Sequence, residues 1–80
     1  MTELEPIKTL DCVGLFCPQP IFEVKKGINS IEVGQVLEML ADDPGAEEDM
    51  KRWAKRTGHE LLSIERLEDG VLRFLFRRMK

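Results

Sequence analysis

Eighty residues make one small domain, without room for both a hydrophobic core and a deep cofactor cavity. A formal net charge of −3 disfavours a nonspecific grip on nucleic acid, which needs surplus Lys and Arg, so no direct nucleic-acid partner is expected. Two cysteines and one histidine fall short of a zinc site or a secreted disulfide framework, and no metal or cofactor is expected.

The first six residues, Met1–Pro6, read as a flexible tail, and residues 7–80 as a single domain. The start is acidic and lacks the basic residues and apolar stretch of a secretory signal. No apolar run approaches the roughly 20 residues of a membrane helix. A cytoplasmic location and no membrane partner are the expectation.

Ile7 to Val13 reads as a first strand, with Leu10 and Cys12 facing inward. Gly14-Leu15-Phe16 is a turn, and Cys17-Pro18-Gln19-Pro20 opens a helix. Its apolar stripe is Ile21, Val24, Ile28 and Ile31. Gly27 inside that pattern costs about 1 kcal/mol relative to Ala, which points to a frayed last turn. Residues 34–41 form a second strand, with Leu37, Met39 and Ala41 on the buried face and Val36, Glu38 and Leu40 on the other, where Val36 and Leu40 join Leu75 in a small apolar patch. Asp43 is placed to cap a second helix with Pro44 in its first position. The inward stripe of that helix is Ala46, Met50, Trp53, Ala54 and Thr57, and Gly58 ends it. Leu61–Leu67 and Val71–Arg78 flank the turn Glu68-Asp69-Gly70 as a hairpin. The order βαβαββ makes an α+β two-layer sandwich: a mixed four-stranded sheet with two helices on one face, its first two strands parallel.

The chemistry concentrates at Cys17. A helix start offers free N–H groups and the positive end of the dipole, which stabilise a thiolate. Pro18 and Pro20 hold the backbone but remove N–H donors, leaving Gln19 and Ile21 to supply them. The expected thiol is therefore lowered only modestly, as suits a group that must both take and surrender an atom. Asp11 and Gly14 shape the preceding turn. No base stands beside Cys17 in sequence, which argues against a hydrolase. Cys12 reads as core filler on the first strand or as a thiol that resolves Cys17 by a disulfide, and the strand alternation favours the first. His59 reads as a loop or strand-start residue. The cations Lys25, Lys26, Lys51, Arg52, Lys55 and Arg56 are candidate docking residues for an acidic partner, against the simpler reading of solvated helix faces.

Asp11-Cys12-Val13-Gly14 followed by Leu15-Phe16-Cys17-Pro18-Gln19-Pro20 resembles the CPxP signature of the TusA/SirA-like sulfur carriers. The likeness continues through Val24-Lys25-Lys26, Gly34, Ala41-Asp42-Asp43-Pro44, Gly58-His59-Glu60-Leu61 and Phe74-Leu75-Phe76-Arg77. The resemblance implies a sulfurtransferase that acts with partner enzymes. Its Cys17 would accept sulfur as a persulfide from a cysteine desulfurase or related donor and relay it to a downstream acceptor protein. Pathways the family serves include tRNA 2-thiolation and molybdenum cofactor synthesis. Two positions depart from the pattern: Phe16 stands where tRNA-thiolation members are often basic, and Cys12 is an additional thiol. A thiol redox protein built on a Cys12/Cys17 pair and a regulatory protein-binding module are the alternatives.

Overall fold

The computed structural model describes residues 5–16 and 19–80. Six elements follow in the expected order: β1 (Lys8–Cys12), α1 (Gln19–Asn29), β2 (Val36–Ala41), α2 (Ala46–Thr57), β3 (Glu60–Arg66) and β4 (Leu72–Arg77). The strands form one sheet in the order β1-β2-β4-β3. β1 and β2 are parallel, and β4 pairs antiparallel with both β2 and β3. This is the expected mixed sheet with two helices packed on it.

The alternation of apolar residues decides which face is covered. Leu37, Met39 and Ala41 of β2, and Phe74 and Phe76 of β4, are fully buried. They form one core with Val24 and Ile28 of α1 and with Ala46, Met50, Trp53 and Ala54 of α2. Trp53 meets Phe76 edge to face, with ring centroids 5.5 Å apart, a favoured aromatic geometry. Helix α1 ends at Asn29, so Ile31, expected on its stripe, is buried just beyond the helix end instead. Gly27 is no weak point: a Cβ there would stand 2.8 Å from Leu10 Cδ1 and 3.2 Å from Leu37 Cδ2. The missing side chain lets α1 lie close on β1 and β2.

Helix α2 begins later than the Asp43 cap implied. Its first regular residue is Ala46, and Gly45 precedes it without a side-chain cap. The Asp43 carboxylate accepts the Gly45 N–H at 3.4 Å, and the Asp43 carbonyl accepts the Ala46 N–H at 2.9 Å, so Asp43 shapes the turn into the helix. Gly58 ends α2 as expected, donating its N–H to the Ala54 carbonyl.

β3 is not the regular strand expected. Its register with β4 shifts between Leu61 and Ser63, a bulge at Leu62. Strict alternation would put Leu61 and Ser63 on one face. The extra residue instead lets Leu61 and Ile64, three apart, both pack on the core.

The face without helices is sealed by ion pairs. Glu38 accepts from the Thr9 hydroxyl at 2.7 Å and from the Arg73 guanidinium, which also reaches Glu65 at 3.0 Å. The Thr9 hydroxyl, then Arg73, hold the Glu38 carboxyl below its usual value. Arg77 lies 3.7 Å from Glu60. Arg73 and Arg77 stand on either side of Leu75 along β4, both less than a third exposed. Val36 and Leu75, expected in an exposed patch, are accordingly buried.

Candidate functional site

The loop from β1 to α1 is tied down on both sides of the Cys17-Pro18 pair. Those two residues lie outside the described set, and with them the expectation that Cys17 caps the first helix. Upstream, the Asp11 carboxylate accepts the Val13 N–H at 3.2 Å, and the Cys12 carbonyl accepts the Leu15 N–H at 3.1 Å. Gly14 takes a φ of 89°, a left-handed conformation that a side chain would strain. Its N–H donates to the Asp42 carboxylate at 2.9 Å. Downstream, Gln19 donates its N–H to the Phe16 carbonyl at 2.8 Å, and Pro20 is buried at the start of α1.

Asp11 and Gly14 precede this segment, and Gln19 and Pro20 follow it. Asp42 joins them from the end of β2, although the sequence marks it only by its place in Ala41-Asp42-Asp43-Pro44. Its contact exists because parallel pairing sets Cys12 beside Ala41. Val13, Phe16 and Phe22 are exposed apolar residues flanking the same segment, Phe16 by 71%.

The second thiol is chemically quiet. Cys12 is 1% exposed and belongs to the core cluster. Burial pushes its thiol up to about 11 from the ordinary 9.0, and the negative charges of Glu23 and Asp11 add to the rise. The core-filling reading of Cys12 is the one the structure favours.

The six candidate docking cations do not share one state. Lys26 pairs with Glu23 at 3.6 Å, Lys51 with Glu47 at 3.2 Å and Arg52 with Asp49 at 2.9 Å, all within their own helices. Lys25, Lys55 and Arg56 have no ion-pair partner among the described residues. His59, marked by the sequence only as a loop or strand-start residue, stands just before β3. Its Nδ1 accepts the Met79 N–H at 3.1 Å, and its ring stacks on Trp53 with centroids 5.6 Å apart. Burial, then the charges of Arg78 and Lys80, lower its pKa below the ordinary 6.5. Among the described residues no group of His, Cys, Asp and Glu is arranged to hold a metal, and no helix is long and apolar enough to cross a membrane.

The sequence model of the family described as Sulfurtransferase TusA matches residues 8–78, nearly the whole chain. The chain belongs to the TusA family. Among curated TusA-family relatives, a candidate sulfur carrier protein of Archaeoglobus fulgidus is 49% identical over 74 residues, spanning 92% of this chain and 96% of that one. The sulfur carrier protein TusA of Allochromatium vinosum is 44% identical over 69 residues, 86% of this chain and 90% of that one. A SirA-like protein of Desulfitobacterium hafniense, solved by crystallography, shares the fold with a TM-score of 0.81 at 23% identity, over 92% of this chain and all of that one. TusA-family membership and these relatives support a sulfur-carrier role, which requires a donor and an acceptor of sulfur.

Proposed function

We propose that the chain carries sulfur as a persulfide on Cys17 in the cytoplasm, loaded by a cysteine desulfurase or related donor. The Cys17 thiolate attacks the outer sulfur of the donor's persulfide. One S–S bond forms as another breaks, and the donor leaves as a thiolate. An acceptor thiolate then attacks the outer sulfur of the Cys17 persulfide and releases the Cys17 thiolate. Neither step needs an oxidant or a reductant. The acceptor is a protein thiol feeding a pathway such as tRNA 2-thiolation or molybdenum cofactor synthesis.

The observation that supports this reading most is the burial of the other thiol. The chain has two cysteines, and Cys12 is enclosed and held neutral. The reacting form of a thiol is its thiolate, so the sulfur chemistry falls to Cys17. A Cys12/Cys17 disulfide cycle would need Cys12 at the surface, and its burial argues against that reading. Exposed Val13, Phe16 and Phe22 beside the loop offer a partner apolar contact. The Asp42 and Gln19 hydrogen bonds hold the described residues on either side of Cys17-Pro18 in place before any partner arrives.

The test is transfer of label. With radioactive cysteine and a cysteine desulfurase, the native chain is expected to gain label that a reductant removes, and Cys17→Ser none. Equal labelling of the two chains refutes the reading.

A further inference from the structure

A cleft of about 310 Å³ opens between the C-terminal halves of α1 and α2. Trp53 stands at its base, and Lys25, Asn29, Arg56, Thr57 and His59 form its rim. Among the described residues no carboxylate lines it. The two rim cations are among those without an ion-pair partner in the described residues, whereas Lys26, Lys51 and Arg52 are paired. His59 adds a donor. Its Nδ1 is occupied by the Met79 N–H, which places the ring proton on Nε2 in the neutral imidazole. Burial, and then the Arg78 and Lys80 charges, lower its pKa and so favour the neutral ring.

The cationic surface extends past the cleft. Lys55 continues it on α2, and the Lys80 ammonium lies over Gly58, where a Cβ would stand 2.8 Å from Nζ. Neither has an ion-pair partner among the described residues. Donors spread over two helices, the residue before β3 and the end of the chain outreach a single small anion. Cations at helix C-termini also offset the macrodipole. That accounts for Lys55 and Arg56, but not for an opening between the helices that no described carboxylate lines.

We propose that this cleft receives an acidic segment of a partner protein, its Asp and Glu carboxylates accepting from Lys25, Arg56 and His59. Helix α1 starts just after Cys17-Pro18 and rises about 1.5 Å per residue, so Asn29 lies roughly 15 Å along its axis from Gln19. A segment held there leaves the N-terminal end of α1, which follows Cys17-Pro18 in the chain, uncovered. The cleft would tether the carrier to one protein while Cys17 serves another; this tethering role rests on the carrier reading, whereas the binding itself does not.

The experiment titrates the isotope-labelled full chain with a hexaglutamate peptide at low salt and follows amide and indole resonances. Saturable shifts are expected to cluster at Asn29, Trp53, Thr57 and His59. Removing two exposed charge contacts by Lys25→Gln with Arg56→Gln is expected to weaken binding about tenfold. Lys51→Gln with Arg52→Gln serves as the control and is expected to change it by less than about threefold. These substitutions sit at exposed positions, and the resonance dispersion of each variant reports its fold. Equal weakening by both pairs, shifts scattered along the outer face of α2, or displacement of the peptide by equimolar inorganic phosphate each overturn the proposal. Absence of saturation overturns the cleft and leaves sulfur uptake untouched. Failure of sulfur uptake with peptide binding intact overturns the carrier reading and leaves the cleft an acidic-peptide site.

Discussion

In a Cys17→Ser chain the remaining thiol, Cys12, should be nearly inert to iodoacetamide while the protein is folded. The magnitude follows from its surroundings. Raising a thiol from 9.0 to about 11 cuts its thiolate population about 100-fold at any pH well below 9. Enclosure at 1% exposure also bars the reagent from the sulfur until the site opens locally. The assay compares alkylation rates, read by intact mass, in buffer at pH 7.5 and in guanidinium at the same pH. The folded rate should be at least about 100-fold lower than the unfolded one. Raising the pH should speed the folded reaction about tenfold per unit beyond pH 9, where the unfolded rate levels off. A folded rate within tenfold of the unfolded one, with the fold intact by circular dichroism, would refute the core assignment and restore the disulfide-cycle reading. Cys12→Ala should accordingly retain full sulfur uptake.

Two further perturbations probe the frame around the site. His59 has a folded pKa below its ordinary 6.5, so the unfolded chain binds its proton first as pH falls. Stability should decline from pH 6.5 downward until the lowered folded value is passed, and His59→Gln should flatten that part of a denaturation-against-pH series. Gly14→Ala forces a side chain into a φ of 89° and should cost about 1–2 kcal/mol in urea unfolding. Asp42→Ala, which orphans the Gly14 N–H, should cost about 1 kcal/mol and slow sulfur loading of Cys17.

Much of the fold was readable because burial repeats with the local period. Leu37, Met39 and Ala41 alternate on one strand, Leu72, Phe74 and Phe76 on another, and Ala46, Met50, Trp53 and Ala54 recur at helical spacing. What escaped depends on contacts between distant segments. Gly27 reads as a helix weakness until Leu10 and Leu37 are seen against it. Val36 and Leu75 are buried beneath a polar row drawn from four strands, the Thr9 hydroxyl and the charges of Glu38, Glu65 and Arg73, and no single strand carries that pattern. At the site, the turn residues Asp11 and Gly14 were legible from their types and spacing. Asp42 was not, because its partner lies 28 residues away and meets it only through the β1–β2 register. The cationic cleft draws its rim from α1, α2 and the residue before β3. In the sequence those cations look like ordinary helix faces.

The central claim is tested most directly by incubating the purified chain with a cysteine desulfurase and cysteine, then locating any mass gain by tandem mass spectrometry. The native chain is expected to gain one sulfur atom, on Cys17, lost again on reduction, and Cys17→Ser to keep its original mass. An adduct on Cys12, or a native chain that stays unmodified beside an active desulfurase, would contradict it.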